Sequence, residues 1–249
     1  MRTKDKWLME RLAVDLHIHS ALSPCGDDFM TPGNIVGMAV VNELDAIAIT
    51  DHNSSENIPA AMAIAEEYGM IVIPGMELET VEEIHVVCLF PDMEAVSLFQ
   101  KAILSSYTPG MNRPEIFGCQ QIFNANDQII GECPRMLLAP SGISIDEAIP
   151  LADRLGGVAY PAHVDRDSYS VLTSLGALPY QYPHGFVEIS MDCNREALLA
   201  EYPFLQNYRL IPASDAHYLE KIQERRTFIE VEERSPRGII AALKNLGKE

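Results

Sequence analysis

Apolar residues gather into short, β-rich runs along this chain, at 12–16, 46–50, 70–74, 85–90, 157–161, 186–190, 210–213 and 228–231, and amphipathic segments separate them. Runs of this length, rich in Val, Ile and Ala, suit buried strands, and their alternation with helical periodicity predicts mostly parallel β/α units. Helix starts are marked as well. Thr31-Pro32 places a capping residue before a proline at the first helical position. Ser144 and Glu147 have the spacing of a capping box, and Ser235-Pro236 opens a last helix that Gly247 can end. About six or seven helices are expected.

Residues 105–140 break this rhythm with Tyr107-Thr108-Pro109-Gly110, Asn124-Ala125-Asn126-Asp127 and Cys133-Pro134. They read as an insertion into a single domain spanning 1–249. Within it, 121–123 and 128–131 can pair as a hairpin around Asn126-Asp127, which either closes over substrate or is a surface elaboration.

The chain has 249 residues, 47% of them apolar and 22% charged, enough for one sizeable core. The opening Met-Arg-Thr-Lys-Asp-Lys-Trp carries no apolar run behind its positive charges, and no segment reaches roughly 18 uninterrupted apolar residues, so a cytoplasmic protein without membrane attachment is expected. Cys25, Cys88, Cys119, Cys133 and Cys193 are odd in number, scattered and never spaced Cys-x-x-Cys, which suits reduced thiols. A formal charge of −18 repels polyanions. It predicts a small phosphorylated substrate and no long duplex, although divalent ions in a carboxylate-lined pocket would reverse the local field and admit short RNA ends.

The candidate chemistry sits at the ends of the apolar runs. His17 and His19 are two apart, so in a strand both imidazoles face one side and can converge on a cation. The run 46–49 finishes in Thr50-Asp51-His52, making His52 a ligand candidate, while Asp51 can orient an imidazole from behind or cap the following helix. The run 70–74 leads into Gly75-Met76-Glu77, whose carboxylate can bridge two cations; Glu79 shares its face and is the weaker rival. His85 stands at the start of its run, so that strand enters the site from the other direction. His163 ends the run 157–161, and Asp215 and His217 follow the run 210–213. Six of the seven histidines occupy these places, and only His184 lies outside them. Imidazole and carboxylate donors suit Zn, Mn or Fe, and a bridging carboxylate implies two or three ions, able to activate water for phosphoryl transfer.

His17-x-His19, Thr50-Asp51-His52, Pro74-Gly75-Met76-Glu77, His85, Pro161-Ala162-His163 and Ser214-Asp215-Ala216-His217, in this order, resemble the PHP family, named for polymerase and histidinol phosphatase. The resemblance spans about residues 12–217. It implies an α/β fold, a distorted seven-stranded β/α barrel, with a trinuclear metal centre hydrolysing a phosphate ester. It further implies that His17, His19 and Asp215 hold one ion with Glu77 bridging, that His85 and His163 hold a second, and that His52 and His217 hold a third. The last site would also draw an acidic or histidine ligand from the loop after the first motif, for which Asp27 is preferred to Asp28. Arg166, three residues after His163, either grips substrate phosphate through its planar fork or pairs with Asp165 or Asp167.

A small phosphomonoester is the expected substrate, and an exonuclease-type phosphodiesterase on nucleotides or short oligonucleotides is the alternative. An amidohydrolase-type barrel also begins with His-x-His, but many of its members bridge metals with a modified lysine. This chain has no lysine between Lys6 and Lys101 or between Lys101 and Lys221. A catalytically silent metal-binding module would be expected to lack ligands, and here each position can be filled.

Overall fold

Residues 9–247 are described by the structure, a computed structural model; the opening Met1–Trp7 read above lies outside them. The chain forms β1 (Glu10–Ile18), α1 (Pro32–Val41), β2 (Ala46–Ile49), α2 (Ile58–Ala65), β3 (Ile71–Glu79), β4 (His85–Leu89), α3 (Met93–Ser106) and a one-turn α4 (Pro114–Phe117). Then come β5 (Gln121–Phe123), β6 (Ile129–Glu132), α5 (Ile145–Arg154), β7 (Val158–Pro161), α6 (Val171–Leu175), β8 (Phe186–Ser190), α7 (Arg195–Glu201), β9 (Arg209–Ala213), β10 (Phe228–Val231) and α8 (Pro236–Asn245). All eight apolar runs are strands, and the predicted helix starts cap as expected. The Thr31 side chain accepts the Asn34 N–H, Ser144 and Glu147 form a reciprocal capping box, and Ser235 accepts the Gly238 N–H.

Six strands make one curled sheet in the order β10-β1-β2-β3-β4-β7, a half-barrel, with β8 and β9 as a parallel pair beside it. The gaps are stitched at one end: Val164 N–H donates to the Glu188 carbonyl, and His19 N–H to the Ala216 carbonyl. Among the described residues only β1-β2, β2-β3 and β8-β9 are parallel strand pairs; β4 runs antiparallel to both β3 and β7, and β10 antiparallel to β1. The expectation of mostly parallel pairing fails at β4 for a simple reason. Residues 80–84 are too few for a crossover helix, and Thr80 N–H closes a turn onto the Ile84 carbonyl. Reversing β4 brings its first residue, His85, to the same end as the last residues of β3 and β7.

The buried side chains sort by the two-residue period of the strands. Leu12, Val14, Leu16, Ala46, Ala48, Ile73 and Val87 fill the inner layer, onto which α8 packs Ile239, Ile240 and Leu243. Ala13, Ile47, Ile49, Leu78 and Val86 meet α1, α2, α3 and α5 in the outer layer, through Ile35, Ala61, Phe99 and Ile149. Ile18 belongs with Ala13 to the outer layer although the parity of β1 would place it inside. The register of β1 against β2 shifts between Asp15 and Ile18, and this irregularity turns His17 and His19 toward the interior after Leu16. Among the described residues no helix is long and apolar enough to cross a membrane.

Candidate metal centre

The strand ends carrying the histidines converge on Glu77. His17 lies in β1 and His19 just beyond it, His52 follows β2, Glu77 lies near the end of β3, His85 opens β4, His163 follows β7, and Asp215 and His217 follow β9. Gly75 allows β3 to press against the end of β2: a Cβ there would meet Thr50 Cγ2 at 2.8 Å and the Ile49 carbonyl at 3.1 Å. Beyond this contact Glu77 N–H reaches the Thr50 and Asp51 carbonyls, and Glu77 pairs with His52.

Five imidazoles surround the Glu77 carboxylate. His17 Nε2, His85 Nδ1 and His163 Nε2 lie 3.3, 3.0 and 3.3 Å from Oε1, and His19 Nε2 and His52 Nδ1 lie 3.2 and 3.1 Å from Oε2. Asp215 Oδ1 faces His17 Nε2 and His19 Nε2 at 3.3 and 3.1 Å. All these residues are buried. Donor atoms converge within 4.8 Å in three sets, His17/His19/Glu77/Asp215, His52/Glu77/His85 and His19/His52/His217. His52 Nδ1, His163 Nδ1 and Asp215 Oδ1 are buried without a hydrogen-bond partner, despite the short approaches of the first and last. Nitrogen and oxygen lone pairs gathered close but misaligned for hydrogen bonding fit cations between them.

Burial alone would raise the Glu77 pKa, but the neighbouring imidazoles of His85, His17 and His52 hold it well below the usual carboxylate range. Burial and the charge of His19 lower the His217 imidazole to about 4, leaving it neutral and able to ligate at neutral pH. Left-handed backbone at His163, Asp215, Asn53 and Tyr169, with φ of 26°, 47°, 48° and 55°, concentrates strain around the same place.

Asp51 does not face the cluster. Its Oδ1 accepts the Ser20 N–H and the Ser23 hydroxyl, each at 2.7 Å, and its Oδ2 accepts the Ser20 hydroxyl at 2.6 Å. Ser23 Oγ in turn lies 2.9 Å from His19 Nδ1, so Asp51 orients an imidazole through a serine, and the cap of α2 is Asn57. Arg166 Nη1 lies 2.5 Å from Asp215 Oδ2 rather than on Asp165 or Asp167; Asp165 instead accepts the Ser190 N–H at 2.8 Å. Asp27 departs from the expectation. Its carboxylate turns back to accept the Phe29 N–H at 2.9 Å, an Asx turn, and takes no part in the three donor sets. Glu79 is buried and lines the cavity, also outside those sets. His184 is buried between the rings of Tyr182 and Phe186.

Glu188 was not foreseen. It sits in β8, 1% exposed, with Oε1 2.8 Å from His17 Nδ1 and accepting the His163 N–H at 3.1 Å. The signal for it was a lone carboxylate inside the apolar run 186–190. The cluster opens into a cavity of about 340 Å³, whose wall includes Cys25, Leu138, Arg166, Ser168 and Tyr169.

A half-barrel with buried imidazoles and carboxylates at its strand ends defines a metal-dependent hydrolase. The family model described as PHP domain matches residues 15–234, and the chain belongs to that family. It is 39% identical over 84 residues to the 5'-3' exoribonuclease Rnm of Salmonella typhimurium, an overlap of 32% of this chain and 28% of that one. It is 40% identical over 74 residues to a PolC-type DNA polymerase III of Staphylococcus aureus, covering 30% of this chain and 5% of the polymerase. The chain thus spans well under two thirds of these relatives. The endonuclease PfuEndoQ of Pyrococcus furiosus superimposes with a TM-score of 0.68 at 18% identity, over 95% of this chain and 56% of its own. A putative metal-dependent phosphoesterase of Bifidobacterium adolescentis gives 0.53 at 17% identity, over 86% and 90%.

The expectation that a long duplex would be no partner is overturned. An Endonuclease Q chain of the same fold, TM-score 0.63 at 16% identity over 96% of this chain and 57% of its own, is solved in complex with a 27-mer duplex substrate that carries an abasic lesion at the active site. Net charge averages the whole surface, whereas a phosphate backbone meets only the local field, and that inference from −18 was too coarse.

Proposed function

We propose that this chain is a phosphodiesterase acting at the 5′ end of a nucleic-acid strand, with two or three Zn, Mn or Fe ions in the Glu77 centre. The observation that carries the hydrolytic reading is the Glu77 carboxylate within 3.3 Å of five imidazoles. In this reading His17, His19, Glu77 and Asp215 hold one ion, Glu77, His85 and His163 a second, and His52 and His217 a third, with the His19 ring packed against both. When bound, such ions supply Lewis acidity to the phosphoryl oxygens and lower the pKa of water.

The remaining work falls to the chain's own side chains. Arg166, its side chain 41% exposed on the cavity wall, presents a planar fork to the substrate phosphate while Asp215 fixes its position. Glu188 and Asp51 hold His17 and His19 in orientation from behind, the second through Ser23. The nucleic-acid substrate is favoured by the exoribonuclease relatives and by two aromatic rings. Tyr169 lines the cavity, 46% exposed and stacked on His85 at 4.4 Å, and Tyr218, 49% exposed, follows His217 directly; both rings are available to stack on bases.

The test is to load the protein with each metal and supply 5′-phosphorylated single-stranded RNA and DNA, a duplex, and p-nitrophenyl phosphate, beside a His17→Ala/Asp215→Ala control. Nucleotides released stepwise from the 5′ end, and lost in the control, are expected. Phosphate release from the monoester with every strand intact would return the substrate to a small phosphomonoester, and cleavage of the duplex alone would replace the strand-end reading.

A further inference from the structure

The loop between β1 and α1 presents a thiol where the resemblance led us to expect a carboxylate. Ser23 N–H donates to the Ser20 carbonyl and Gly26 N–H to the Ser23 carbonyl, two tight turns in succession. Gly26 is needed there, because a Cβ would meet the Ser20 carbonyl oxygen at 2.6 Å. Asp27 N–H then donates to the His217 carbonyl at 2.9 Å, tying the loop to the segment after β9. Asp27 is thereby held by its backbone with its carboxylate folded onto Phe29, and the residue delivered to the cavity is Cys25, whose Sγ lies 3.1 Å from His217 Nε2.

His217 is set up as a ligand would be. Its Nδ1 lies 2.9 Å from the Asp215 carbonyl, which can only accept, so the proton belongs on Nδ1 and the Nε2 lone pair faces Cys25. The His19 ring stacks on His217 at 4.2 Å and lies 4.6 Å from the His52 ring, and His52 is 3% exposed with its Nδ1 turned to Glu77 Oε2 at 3.1 Å. The set His19/His52/His217 is also the one of the three with no carboxylate. It brings imidazoles together with no anion, and the side chain at its edge that can become anionic is the thiol.

We propose that Cys25 is a thiolate ligand of the ion held by His52 and His217. This inference rests on the metal centre described above. On binding, the S–H bond breaks, its proton passes to solvent, and the sulfur lone pair forms the bond to the metal; no electron is transferred. A mixed imidazole and thiolate set is softer than the carboxylate-bearing sets beside it, so this position should favour Zn, Co or Fe over Mg and Ca.

Cobalt(II) titration of the metal-free full chain tests it, because the two readings separate in one spectrum. The wild type should show visible d–d bands for cobalt in the centre and, with the last equivalent, a near-ultraviolet thiolate-to-cobalt charge-transfer band. Cys25→Ser should lose the charge-transfer band and keep the d–d bands of the other ions, Cys25→Asp should bind the full complement without that band, and Cys119→Ser should match the wild type. Circular dichroism and melting curves confirm that each variant is folded. Visible bands without a charge-transfer band in the wild type, or a band that survives in folded Cys25→Ser, would overturn the thiolate ligand and leave the metal centre standing. No cobalt uptake at all would overturn both.

Discussion

Glu188 Oε1 joins two strands of the site: it lies 2.8 Å from His17 Nδ1 and accepts the His163 N–H at 3.1 Å. One buried carboxylate oxygen thus sets the ring of a ligand candidate from β1 and the backbone of another after β7. A metal-binding imidazole whose far nitrogen is held this way is fixed in tautomer and direction. Glu188→Gln preserves the volume but replaces a charged acceptor with a neutral one. Metal affinity should fall by about 10- to 100-fold, the usual cost of losing such a partner. Competition with a chromogenic chelator measures this, and an unchanged affinity in folded protein would reduce Glu188 to a backbone cap for His163.

Arg166 is placed to serve both the centre and the substrate, since its guanidinium pairs with Asp215 Oδ2 while its side chain remains 41% exposed. A charge-assisted hydrogen bond to phosphate is worth about 1.5–3 kcal/mol. Arg166→Ala should therefore lower kcat/KM by roughly 10- to 150-fold, chiefly through KM, and Arg166→Lys should recover only part because its point charge lacks the bidentate fork. If both variants lose metal in parallel with activity, Arg166 acts by holding Asp215 and does not touch substrate.

Much of this centre was legible in the sequence because ligation demands rare side chains at fixed places. His17, His19, His52, His85, His163, Asp215 and His217 all stand at strand ends, and the strands themselves are plain apolar runs. What the sequence hid was three-dimensional. The shift in β1 that turns His17 inward leaves no residue-type signature, and the reversal of β4 follows from a loop length rather than from a pattern. Asp27 is what the resemblance implies, an acidic residue in the loop after the first motif, and no spacing rule announces that two consecutive turns precede it, that its carboxylate folds onto the Phe29 N–H, or that Cys25 is advanced instead. Glu188 was passed over because one acid in an apolar strand looks like noise until its partner across 171 residues is known.

Removing metal should destabilise the fold and change its response to pH. Ions that bind the native state alone raise stability by mass action, about 2.7 kcal/mol at a hundredfold excess over Kd. Without them the histidines report their protein surroundings. Burial would lower His19, but hydrogen bonds and charge from Asp215 and Glu77 lift it from 6.5 to about 9. Its contribution is thus complete below pH 6.5 and lost as pH rises through about 9. His217, lowered from 6.5 to about 4, contributes above pH 6.5 and loses that contribution as pH falls toward 4. Chelated protein should therefore have its highest urea midpoint near pH 6.5 and decline on both sides, whereas metal-loaded protein should stay flat on the alkaline side. Identical profiles with and without chelator would mean that these histidines do not bind metal.

Asp127 ties the segment before α5 to the start of α1. It sits in the turn between β5 and β6 with φ of 58°, and its carboxylate accepts the Thr31 hydroxyl at 2.5 Å and the Gly33 N–H at 2.8 Å, at the positive N-terminal end of α1. The same segment is fastened by Gln121 N–H to the Ala21 carbonyl and by the Asn57 side chain to Gln121 and Phe123, and it supplies Leu138 to the cavity wall. Two effects can be separated by substitution. Asp127→Ala loses the hydrogen bonds and forces alanine into a left-handed conformation, for about 2–3 kcal/mol in all. Asp127→Gly loses the same bonds but tolerates the backbone, and should cost about 1 kcal/mol less. Asp127→Asn keeps one acceptor and the tolerance, and should be mildest. Melting temperatures in that order, together with faster proteolysis between residues 105 and 140 and a raised KM for strand substrates, would mark this segment as part of the substrate boundary. If Asp127→Gly melts with the wild type, the anchor to α1 contributes nothing, and if only stability moves while KM holds, the segment is a surface elaboration.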